Sequence, residues 1–179
     1  MHKEINMEDK TSQNLEQFLD RQLERTNYWL SFAEAKNAAL LAFNIAVITF
    51  VADFQKDIPV MSTMVMFVFI ASSLICLWSF KPNSANRPEP GPKYLPSDNL
   101  LFWKDIAFFE DEERYLARVI ERYFSGTTVS DEEKRILIDF SSEIVINSRI
   151  AMSKYNLFTY ALYVDLSAFL LSIVLLILA

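Results

Sequence analysis

Glycine, histidine and cysteine are almost missing from this 179-residue chain, which has two, one and one of them. Phosphate-cradling loops of the Walker or Rossmann kind need several closely spaced glycines, so both are excluded. One cysteine, Cys76, and one histidine, His2, cannot build a zinc, haem or Cys/His nucleophile site. No disulfide can form within the chain, and a Ser-His-Asp triad would require His2 to fold back. The expectation is no enzyme, no metal and no resident cofactor. Basic residues are also in deficit, 17 against 23 acidic, for a net charge of −6. That balance argues against a nucleic-acid partner.

Breakers are scarce and unevenly placed. Five of the six prolines (Pro82, Pro88, Pro90, Pro92, Pro96) and one glycine, Gly91, crowd into one stretch, leaving only Pro59 and Gly126 elsewhere. Since 52% of the residues are hydrophobic, the remainder reads as long helices.

Three segments are apolar enough to cross a bilayer, which needs about 20 residues per helix. They are 33–52, 58–80 (free of charge) and 155–179, where Asp165 is the only charge. The opening residues carry charges and no apolar run, so a cleavable signal is not expected. Arg21, Arg25 and Lys36 precede the first span, Lys81 and Arg87 follow the second, and Arg149 and Lys154 precede the third. The positive-inside rule then places the N-terminus and the 81–154 region in the cytoplasm and Ala179 outside.

The sequence thus predicts an all-α membrane protein with three transmembrane helices and a cytoplasmic helical bundle continuous with the first and third spans. Residues 1–32 form a cytoplasmic amphipathic helix, striped by Leu15, Phe18, Leu19, Leu23, Thr26 and Leu30, with Thr11 or Ser12 as N-cap. Residues 81–97 are a stiff proline-rich connector, and 98–154 a cytoplasmic helical region. Within it, 110–124 is amphipathic and stops at Gly126, and Ser130-Asp131-Glu132-Glu133 is a capping box. Nothing interrupts the helix from Asp131 to Ala179, which would be about 70 Å long at 1.5 Å per residue.

Several side-chain groups suggest chemistry, each beside a plainer role. In the first span Glu34, Asn37, Leu41 and Asn44 share a face, beside a small-residue ridge of Ala38, Ala42 and Ala46. Asn44 with this ridge marks a helix–helix seam, either between copies in an oligomer or against the other two spans. Asp165 is either a pore or proton site, or a carboxyl near the membrane boundary. Lys36, Arg149 and Lys154, with the Asn37 amide, would meet at one level and could hold a phosphate diester, or could anchor to lipid headgroups. Phe102, Trp103, Phe108 and Phe109 could stack a base or form bundle core. Arg114, Arg118 and Arg122 look like a phosphate stripe, but Glu110 and Glu121 lie at pairing distance.

The order of these segments resembles a known family. A helix runs into Glu34-Ala35-Lys36-Asn37-Ala38-Ala39-Leu40-Leu41, followed by a hairpin of two spans and the proline-rich link. Then come Asn99-Leu100-Leu101-Phe102-Trp103-Lys104-Asp105-Ile106 and Ser148-Arg149-Ile150-Ala151, with Lys154-Tyr155 opening the last span. Nearly the whole chain from about Leu15 resembles the transmembrane effectors of Pycsar anti-phage systems. The resemblance implies a bacterial inner-membrane, multi-pass effector, expected to be a homo-oligomer, that answers a cognate pyrimidine cyclase. Its ligand would be cyclic CMP or cyclic UMP, and its output a loss of membrane integrity that aborts infection. On that basis Lys36, Arg149 and Lys154 are expected to hold the cyclic phosphate, Trp103 to stack the base and Asn37 to orient it. The alternative is a constitutive membrane scaffold that recruits a soluble partner through helix 110–124.

Overall fold

The computed structural model describes the backbone of residues 2–81, 99–127 and 129–178, and the side chains of 12–81, 99–127, 129–170, 172 and 173. Among these residues there is no strand. Five helices follow in order: α1 (His2–Ala52), α2 (Pro59–Ser79), α3 (Trp103–Ile106), α4 (Glu112–Tyr123) and α5 (Asp131–Leu178). The connector predicted over 81–97 lies outside the described residues beyond Lys81.

Helix limits follow the local chemistry. Pro59 occupies the first turn of α2, where a missing N–H costs nothing. Asp111 caps α4 by accepting from the Arg114 amide (2.7 Å), so this helix starts at Glu112 rather than at the predicted Glu110. Gly126 has φ +88°, a left-handed conformation that ends the α4 segment and favours glycine. The capping box of α5 closes as expected, with the Ser130 amide and hydroxyl both reaching Glu133 Oε2 (3.0 and 2.6 Å). The expected cap at Thr11 or Ser12 is not one. Both lie inside α1, and the Ser12 hydroxyl instead donates to Glu133 Oε1 (2.7 Å).

The chain divides into two compact units, and α1 and α5 contribute to both. The first comprises Met1–Leu30 and Asn83–Met152. Its core gathers Leu15 and Leu19 of α1, Leu100, Ile106 of α3, Tyr115, Leu116 and Val119 of α4, and Leu137, Ile144 and Val145 of α5. Apolar residues recurring every three or four positions bring each stripe inward. The second unit comprises Ser31–Pro82 and Ser153–Ala179. There α1, α2 and α5 meet through Leu40, Cys76 and Ala161, and through Val65, Phe69 and Ala168. The face of α2 turned inward repeats at three and four residues as Ser62, Val65, Phe69, Ser72, Cys76 and Ser79.

Candidate functional site

The second unit is inside out. Phe67, Val60, Trp78 and Leu74 stand exposed on α2, whereas Asn37, Asn44, Ser62, Ser72, Lys154 and Asp165 are buried. Among the described residues α1 and α2 each contain a stretch long and apolar enough to cross a membrane, and only 17% and 28% of those stretches is buried. Core helices of a soluble protein would be mostly covered; helices facing lipid are not.

Two polar layers tie the three helices together. In one, Asn44 of α1 lies between Ser72 of α2 and Asp165 of α5. With its amide set so that both of its own ends are satisfied, Asn44 accepts from Ser72 Oγ (2.9 Å) and donates to Asp165 Oδ2 (3.1 Å) and the Leu40 carbonyl (3.3 Å). Asp165 is 2% exposed, so it lies inside the helix trio. In the other, the Lys154 ammonium donates to the Ser79 carbonyl at the end of α2 (2.8 Å) and pairs with Glu34 (3.0 Å). Asn37 crosses the same layer, donating to the Ala33 and Lys154 carbonyls (2.9 and 3.1 Å). Lys36 sits over three rings, those of Phe32, Tyr155 and Phe158, at 5.1–5.4 Å from their centroids.

Of the five residues expected at a nucleotide, Lys36, Asn37 and Lys154 belong to this unit and Trp103 and Arg149 to the other. Arg149 is buried, and its guanidinium donates to the carbonyls of Ala107 (3.3 Å), Phe109 and Glu110 (3.1 Å), in the turn between α3 and α4. Trp103 is 8% exposed, its ring tilted against Phe102 at 5.6 Å. Phe109 packs edge-on to Tyr115 at 5.3 Å. A ligand would have to displace Glu34 from Lys154, or those carbonyls from Arg149, before meeting either cation. The arginine stripe of α4 is paired: Arg114 with Glu110, and Arg118 with Glu121 (2.7 Å). Of the expected helix–helix seam, Asn44 faces inward, whereas Ala38, Ala42 and Ala46 are exposed on the single chain.

Ser72 and the Ser79 carbonyl escaped the sequence reading. The spacing of Ser62, Ser72 and Ser79, ten and seven residues apart and so on one face of α2, was the signal that could have found them. In the first unit, burial raises the titration of the Tyr115 hydroxyl above the ordinary tyrosine range, with a smaller push from Tyr123 and a partial offset from Arg25. That hydroxyl donates to the Leu100 carbonyl (3.2 Å).

No curated protein and no solved structure matches the chain. The Pycsar effector protein domain matches residues 18–179, which takes in the parts of α1 and α5 in both units. The chain belongs to the Pycsar effector protein family, as a membrane effector of anti-phage defence and not a cyclase.

Proposed function

We propose that this effector sits in the bacterial inner membrane with three spans, is activated by cyclic CMP or cyclic UMP from a cognate cyclase, and then impairs membrane integrity. The match to the Pycsar effector domain over residues 18–179 carries this reading. The inside-out second unit supports it, because a lipid-facing surface with a polar interior suits a bilayer. The third span covers residues 155–179, the N-terminus is cytoplasmic and Ala179 periplasmic. Several copies act together, with the exposed Ala38, Ala42 and Ala46 ridge allowing close approach of helices. The nucleotide acts by binding the membrane-active state more tightly than the resting one. Lys36, Asn37 and Lys154 hold the spans in register, and Trp103 and Arg149 hold the α3–α4 turn.

Cells carrying both the effector and an active cognate cyclase should take up a membrane-impermeant dye and stop growing. Cells with a catalytically dead cyclase should do neither. Dye exclusion in the presence of the active cyclase contradicts the reading, and equal behaviour in both strains favours the constitutive scaffold.

A further inference from the structure

The first unit contains a pocket of about 310 Å³ lined by Asn14, Phe18, Arg21, Gln22, Arg25 and Phe124, with Leu101 beside them. Resting on the reading of a cyclic pyrimidine nucleotide as the signal, we infer that this pocket is where that nucleotide binds, its cyclic phosphate on Arg21 and Arg25 and its base against Phe18 and Phe124.

Charge singles the pocket out. No carboxylate lines it, in a chain of net charge −6. Arg21 and Arg25 stand one turn apart on α1, and among the described residues neither forms an ion pair. Arg21 spends only Nε, on the Gln17 carbonyl (3.2 Å), so both terminal nitrogens of its guanidinium are uncommitted. Asp20 and Glu24, the acidic neighbours on α1, are exposed and outside the lining. Arg114, Arg118 and Lys154, by contrast, already have carboxylates. A planar guanidinium fork matches two oxygens of a phosphate diester, and two forks one turn apart hold a single monoanion.

The wall supplies the rest of a nucleotide's needs. Phe18 meets Phe124 edge-on at 5.6 Å and Tyr123 at 5.5 Å, forming an aromatic surface on which a base can stack. Gln22 donates from Nε2 to the Leu101 carbonyl (3.1 Å), which leaves its amide oxygen to accept from a base edge. Asn14 brings a second amide, exposed and able to turn either way. The volume is at the small end of ligand sites and suits one mononucleotide with a single-ring base. A nucleotide seated there would join α1 to Leu101 and to the C-cap of α4, Phe124. The same α1 runs without a break to Ala52, so the bound phosphate acts on a helix that also forms part of the second unit.

Phospholipid headgroups offer the same phosphate diester, so the test separates the two sources. The full-length protein in nanodiscs of zwitterionic lipid is titrated calorimetrically with cyclic CMP and cyclic UMP. One of them should bind saturably, and Arg21→Gln with Arg25→Gln should weaken it by at least tenfold. Thermal unfolding should not change, because both side chains are exposed. Arg21→Lys with Arg25→Lys should recover part of the affinity, and Lys36→Gln should leave it unchanged. Unaltered binding by the double Gln variant overturns the site while leaving the nucleotide reading intact. Failure of the wild type to bind either nucleotide overturns both. An effect of the double variant seen only in nanodiscs of anionic lipid, with nucleotide affinity unchanged, overturns the site in favour of lipid headgroups.

Discussion

The two units solve opposite solvent problems with the same kind of helix. The first puts Leu15, Leu19, Tyr115 and Val119 inside and turns Glu110, Arg114 and Glu121 outward. The second leaves Phe67 73% and Leu170 66% exposed and keeps Asn37 and Asn44 fully covered. Apolar burial holds the first together, at about 25 cal/mol per Å² removed from water. In the second, apolar side chains face lipid and gain nothing by leaving it, so close packing and hydrogen bonds between helices must set the arrangement. Helices α1 and α5 pass through both regimes without a break, which only a chain poor in glycine and proline permits.

Matched truncations should break this contrast if it is wrong. Leu19→Ala in the first unit should cost about 2–5 kcal/mol, while Phe67→Ala in the second should stay within about 0.5 kcal/mol. Unfolding in nanodiscs, followed by circular dichroism, reads both; similar losses would mean the second unit has a water-driven core. Arg149→Ala should cost about 3 kcal/mol by stranding the carbonyls of Ala107, Phe109 and Glu110. Its loss should appear as a lower unfolding temperature. Asn44→Ala should cost about 1–3 kcal/mol by leaving Asp165 and Ser72 without their shared amide. An unfolding temperature equal to wild type would remove that layer from the account of the second unit.

The smallest effect concerns acid. The Ser130 hydroxyl, then the Ser12 hydroxyl and the Ser130 amide, hold the Glu133 carboxyl below the ordinary glutamate range. A lowered folded-state value means that its stabilisation is complete above the ordinary range and is lost as pH falls through the lowered value. Ser130→Ala should therefore lower stability slightly at neutral pH and flatten the acid side of the curve, variant and wild type converging below the lowered value. An unaltered acid limb would show that the capping box contributes nothing to it.

Much of the fold was legible because breakers and caps act locally. Pro59, Gly126 and the Ser130–Glu133 pair mark helix ends through their own backbone and side chains, with no help from distant residues. Ser12 misled because a hydroxyl before an apolar stripe resembles a cap, whereas its partner, Glu133, lies 121 residues away. The same limit applies to Arg21 and Arg25. Their spacing is visible in sequence, but Phe124 and Leu101 reach the pocket only through folding. Lys154 and Arg149 looked like free cations for the converse reason. Glu34, the Ser79 carbonyl and the α3–α4 turn occupy them from far along the chain.

The link from nucleotide to bilayer is tested most directly in sealed vesicles that carry the purified protein and a trapped dye. Cyclic CMP or cyclic UMP added to the face bearing the first unit should release the dye, while cyclic AMP and cyclic GMP should not. Retention of dye with every cyclic nucleotide, at concentrations where one of them binds, would contradict the proposed mechanism.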